Sequence, residues 1–209
     1  MKSNLMDPIE TTGLESFLGD NFEMTMKFYG DSCLRASNTP VNTSDKNLPI
    51  LLEKMLAIMY GFEGVGLAAP QIGINKTLCV LDTSHQWNRE KVVVLDGVDW
   101  SQEDASKFFP LQLINPIIVE QSNDTIFSIE GCLSIPDVFG RVGRPSMVTI
   151  NYHGTDGNLH VLQANQLLGR CLQHEIDHLN GILFFDKFSR REMRRVEVAL
   201  RSLESKHTQ

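Results

Sequence analysis

Apolar residues recur at helical spacing over residues 48–60, LPILLEKMLAIMY, and predict a helix that turns one side to a core. Short apolar runs bounded by turn residues predict strands at KTLCVLD (76–82), KVVVLD (91–96), LINPIIVEQ (113–121) and TIFSIEG (125–131). The last two are joined by Ser122, Asn123 and Asp124. SMVTINYH and LHVLQ predict a hairpin around the turn GTDGN (154–158). A second helix is expected from about Asn165 to Asn180, stopped at Gly181. A third begins at a Ser189 N-cap and runs towards Ser205. Residues 36–49 read as a turn-rich loop, and GFEGVGLAAPQIG (61–73) is small and Gly-rich. Antiparallel strands with a few helices and no βαβ alternation predict an α+β domain. The pattern is weakest at 83–110, where charges are dense, and this stretch reads as an insertion between sheet strands.

The chain has 209 residues, enough for one domain with a real core. No apolar run reaches the roughly 18 residues of a membrane span. The N-terminus carries Asp7, Glu10, Glu15, Asp20 and Glu23 and lacks a long apolar core, so it resembles neither a signal nor a transit peptide. A cytoplasmic protein without a membrane partner is expected. The net charge of −7 argues against phosphate binding, and so against specific DNA, as the main business. The basic run KFSRREMRR (187–195) reads as a solvated helix face. A reducing compartment argues against bridges among Cys33, Cys79, Cys132 and Cys171.

One stretch carries chemistry. In CLQHEIDHLNG (171–181), His174 and His178 lie four apart, one turn up the same helical face, where both can reach one metal ion. Glu175 lies beside the pair and can take a proton from a water there. A catalytic divalent metal usually has three protein ligands. Cys171 shares the face but lies roughly 7 Å along the axis from the midpoint of the pair, at 1.5 Å rise per residue. Position 184, where an extended motif would place a third histidine, is Phe184. Glu192 or Glu197 could complete the site as in a zinc endopeptidase. Cys132, in IEGCLSIP, follows a glycine that permits close backbone approach, and Pro136 is expected to stop the strand soon after. Spacing alone leaves Cys132 balanced against an ordinary buried cysteine at a strand end.

Three segments, GVGLAAPQIG (64–73), EGCLS (130–134) and QHEIDH (173–178), resemble the signature motifs of peptide deformylases and stand in the same order. YGDSCLR, LINPIIV and GILFFDKFS extend the resemblance over roughly residues 27–190. It implies mainly antiparallel sheets packed around a central metal-binding helix, with a C-terminal helix. It implies Cys132, His174 and His178 as ligands of one divalent ion, Fe2+ with Zn2+ or Ni2+ as replacements. It implies removal of the formyl group from N-terminal formyl-methionine, with nascent formylated peptides as substrates and the ribosome as a transient contact. Glu175 would be the general acid–base. The Gln71 side-chain amide and the Leu133 N–H would face the developing oxyanion. Gly66 would let the substrate backbone lie close, and Glu130 would order the site. Val65, Leu167 and Cys171 would wall the methionine pocket. The chain departs from the family pattern at Ile129, in a long 83–112 segment, and in an N-terminal extension, 1–26, ahead of one catalytic domain, 27–209.

Overall fold

The computed structural model describes residues 13–19, 24–86, 93–100 and 107–207. Among the described residues there are three α-helices: α1 (Leu48–Gly61), α2 (Gln166–Leu179) and α3 (Arg190–His207). Nine strands accompany them: β1 (Gly66–Ala68), β2 (Leu78–Leu81), β3 (Val93–Leu95), β4 (Val98–Asp99), β5 (Leu111–Gln121), β6 (Thr125–Cys132), β7 (Ile135–Pro145), β8 (Met147–His153) and β9 (Leu159–Asn165). Seven form one sheet in the order β1-β2-β5-β8-β9-β3-β4, and β6 and β7 form a separate ribbon. The pairings among these nine strands are antiparallel. The α+β expectation is met.

Alternation on β2 shows where the core lies. Leu78 and Val80 join the cluster under α1, with Leu51, Leu52, Met55 and Met59. Cys79 and Leu81 join the cluster under α2, with Leu172, Ile176 and Leu179. The two helices thus cover opposite faces of the sheet, so β2 reads as an unbroken apolar run. Leu51, Leu52 and Met55 are fully buried, and truncating any one to alanine should cost about 2–5 kcal/mol. Leu14, from a short 3-10 turn at Leu14–Phe17, seals the α1 cluster and donates its N–H to Asp45 Oδ2 at 3.0 Å. Part of the expected N-terminal extension therefore packs on the core. Within the 83–112 stretch, β3 pairs with β9, and β4 extends the sheet one strand further.

Helix boundaries follow local chemistry. The Glu192 N–H donates to Ser189 Oγ at 3.2 Å, capping the start of α3 as the sequence predicts. α2 ends at Leu179, where Gly181 adopts φ 69° and its N–H returns to His178 O. Ser122, Asn123 and Asp124 join β5 to β6 as expected, carrying the chain from the main sheet into the ribbon. One expectation needs correction. Pro136 does not stop the ribbon: the chain reverses at Leu133 and Ser134, and Pro136 is the second residue of β7. A proline is tolerated at such a strand start because its missing N–H costs no ladder bond there.

Candidate metal centre and cleft

Cys132 ends β6 just before the tight turn, and this corner meets α2. Its sulfur lies 3.2 Å from His178 Nε2. Donor atoms of Cys132, His174 and His178 all lie within 4.8 Å of one another. The two imidazoles, one turn apart, have centroids 5.0 Å apart. Phe184 stacks on the His174 ring at 6.0 Å, so the position that fails as a third histidine closes the site with an apolar face. Glu192 and Glu197 pair with Arg195 and Arg201 on α3 and do not enter the cluster, which removes the endopeptidase-like ligand set.

Glu130 organises the second layer. Its carboxylate accepts from Arg144 Nε (2.7 Å) and Nη2 (2.9 Å), from Arg170 Nη1 (2.6 Å) and from His174 Nδ1 (3.1 Å). The last bond makes Nδ1 the donor and leaves Nε2 of His174 free to ligate. Arg144, almost wholly buried, also reaches Asp177 at 2.7 Å, and Lys187 holds the other oxygen of Asp177. Burial pulls the His174 imidazole down, but the Cys132 sulfur and the Glu130 carboxylate outweigh it and raise its pKa. His178 is pushed well below 6.5, first by burial and then by His174 and Arg144, which keeps it neutral. A thiol and two imidazoles, one with its tautomer fixed by a carboxylate and the other kept neutral, fit a divalent cation.

The cleft over this centre measures about 520 Å³. Val65, Gly66, Gln71, Glu130, Leu133, Cys171 and Glu175 all line it. Glu175 is buried, and its Oε2 has no hydrogen-bond partner among the described residues. Burial pushes its carboxyl up to about 7. The Gln71 amide is oriented by the Ala68 N–H, which donates to Oε1 at 2.8 Å. Its Nε2 then points to Ser134 Oγ at 3.2 Å and towards the Cys132 sulfur at 3.5 Å. Leu133 opens the turn directly after Cys132, so its N–H belongs to the same corner.

Comparison with known proteins accords with this geometry. The family model for polypeptide deformylase matches residues 24–194. A peptide deformylase of Rhizobium meliloti is 41% identical over 160 residues, 77% of this chain and 82% of that protein. Peptide deformylase 1 of Nostoc sp. is 39% identical over 167 residues, 80% of each chain. A crystal structure of Plasmodium falciparum peptide deformylase aligns with a TM-score of 0.74 at 35% identity, covering 87% of this chain and 96% of that one. The chain belongs to the peptide deformylase family.

The structure adds to two expectations drawn from the deformylase motifs. Gly66 is required because the Glu175 carboxyl fills the space a side chain there would take, 2.8 Å from Cδ to an ideal Cβ. Leu167 does not line the cleft; it lies one turn before Cys171 on α2, in a neighbouring hollow, with Arg170 between. Sequence reasoning missed Arg144 and Arg170. The available signal was an arginine at an otherwise inward position of an alternating strand, and another inside the helix that carries the histidines.

Proposed function

We propose that Cys132, His174 and His178 hold one divalent metal ion, Fe2+ in the cell with Zn2+ or Ni2+ as replacements, and that the chain deformylates nascent N-formylmethionyl peptides. The site works in the cytoplasm, with transient ribosome contact, from one catalytic domain at 27–209 that carries an extension at 1–26 and an insertion at 83–112. When bound, the cation supplies a Lewis acid that polarises the formyl carbonyl and acidifies water beside it. Glu175 accepts a proton from the attacking water and delivers it to the departing amine. Water adds across the C–N bond, so formate and a free N-terminal amine leave. The Gln71 amide and the Leu133 N–H donate to the oxygen that becomes negative. Val65 and Cys171 contact the first side chain, Gly66 lets the substrate backbone lie close and leaves Glu175 its place, and Glu130 fixes the His174 tautomer.

The observation that carries this reading is the Cys132, His174 and His178 cluster beside a buried Glu175 oxygen with no partner among the described residues. No described helix is long and apolar enough to cross a membrane. The test is formate release from a formyl-Met peptide by iron-loaded protein handled without oxygen. Formate should appear in step with free amine. Cys132→Ala should lose both metal and turnover, and its full activity would overturn the ligand set.

A further inference from the structure

Arg170 is, among the described residues, the one lining residue that the cleft shares with a second hollow of about 250 Å³. On the cleft side stand Cys171, Val65 and Glu130. Behind it stand Leu167, Gln166, Ser128 and Pro145. The guanidinium is fastened to three points: Glu130 Oε1 at 2.6 Å, Ile126 O at 3.0 Å and Val142 O at 3.3 Å. Those carbonyls belong to β6 and β7, so both ribbon strands hold it. Its side chain is only 13% exposed. Held this way, it is a wall rather than a mobile surface arginine.

We propose that Arg170 is a specificity-determining residue that closes the far end of the pocket for the first side chain, cutting Leu167 and the hollow off from the cleft. This rests on the deformylase reading and adds a limit to it. The pocket takes a side chain of methionine's length and rejects longer ones, because extra atoms would have to displace a hydrogen-bonded guanidinium. Glu130 is not orphaned when Arg170 is removed, since Arg144 and His174 still donate to it.

The test compares kcat/KM for formyl peptides that begin with methionine and with its S-ethyl homologue, one methylene longer. Metal content is measured in parallel. Arg170→Ala should raise the homologue-to-methionine ratio about ten-fold or more, the scale on which one methylene is discriminated. Arg170→Met, which refills the space but makes none of the three hydrogen bonds, should raise the ratio by less than Arg170→Ala does. In an Arg170→Ala background, Ser128→Phe should restore discrimination by filling the hollow. In the unaltered protein, Ser128→Phe should leave the ratio unmoved, a result readable even if Arg170→Ala does not fold. An unchanged ratio in folded, metal-loaded Arg170→Ala overturns the proposal, as does a ratio shifted by Ser128→Phe alone. Absence of formate from every peptide with the unaltered protein would instead overturn the deformylase reading itself.

Discussion

The carboxyl group of Glu175 occupies the place where a side chain at Gly66 would begin, with Cγ 3.0 Å and Cδ 2.8 Å from an ideal Cβ. Real Cβ atoms essentially never come that close to a neighbour, so one of the two groups must move. Glu175 is the one held by a side chain alone. Gly66→Ala should therefore leave the fold and the metal content intact while shifting the proton carrier. A displacement of about 1 Å in a catalytic group costs on the order of 100-fold in rate. Formate release and metal stoichiometry, measured on one preparation, check this. Undiminished turnover would mean that Glu175 does not work from the position described.

Glu130 joins three basic side chains at one buried point, and removing its charge should be felt twice. In Glu130→Gln, Arg144 keeps only Asp177 as a carboxylate partner while remaining buried. Breaking a buried pair from one side costs about 3–5 kcal/mol, visible as a fall in Tm. His174 also loses the carboxylate that fixes its tautomer, so metal affinity should drop about 10–100-fold in a chelator competition. A Tm loss with unchanged affinity would confine Glu130 to a structural role.

The same buried network explains what could be read from the sequence. The His174 and His178 pair was legible because four residues make one helical turn, and α1, α2 and α3 were legible from apolar period and end signals. β2 was legible because both faces are covered. β7 was not: among its inward positions are Gly140, with Phe188 lying where a side chain would go, and Arg144, satisfied by carboxylates 14 and 33 residues away. A hydrophobic pattern cannot register a core position filled by a distant ion pair. Leu167 lines the hollow beside the cleft, and helical spacing, which puts it one turn from Cys171, gives no sign of which of the two it faces.

Oxidation should single out one thiol. Burial pushes the Cys33 thiol up to about 12 and the Cys79 and Cys171 thiols well above their ordinary value, leaving little thiolate on any of them. Cys132 lines the open cleft. Limited peroxide should add two or three oxygens at Cys132 and remove activity in proportion, with no recovery under thiol reductant. Peptide mass mapping against residual formate release checks it. Modification of Cys132 with full turnover would end its role as a ligand.

His160 gives a pH dependence away from the metal centre. Its Nδ1 lies 2.6 Å from Asp96 and its Nε2 3.1 Å from Asp156, while the Tyr152 ring packs 5.4 Å away. The Asp96 hydrogen bond, chiefly, raises its pKa above 6.5. A raised folded-state pKa stabilises the fold while the imidazole is protonated, so the contribution is complete below about 6.5 and is lost as pH climbs through the raised value. On the acid side it persists until the carboxylates protonate, and Asp156 is held down to about 2, mainly by the Asn158 N–H. Urea unfolding of His160→Gln against the unaltered protein should show a gap at pH 5–6 that narrows in alkali. A gap that widens with pH would refute the pairing.

Gln71 separates a catalytic from a structural loss. Its Oε1 satisfies the buried Ala68 N–H, and its Nε2 points into the corner of Cys132 and Ser134. Gln71→Leu removes both functions. An unsatisfied buried N–H costs about 1–3 kcal/mol, and a missing oxyanion donor about 100-fold or more in kcat. Ser134→Ala takes away only the resting partner of Nε2 and leaves the amide held by Ala68. The expected pattern is a large kcat fall with little change in KM for Gln71→Leu, and nearly unaltered kcat for Ser134→Ala. Because the donor acts on charge present only in the transition state, a loss appearing in KM alone would assign Gln71 to ground-state binding instead.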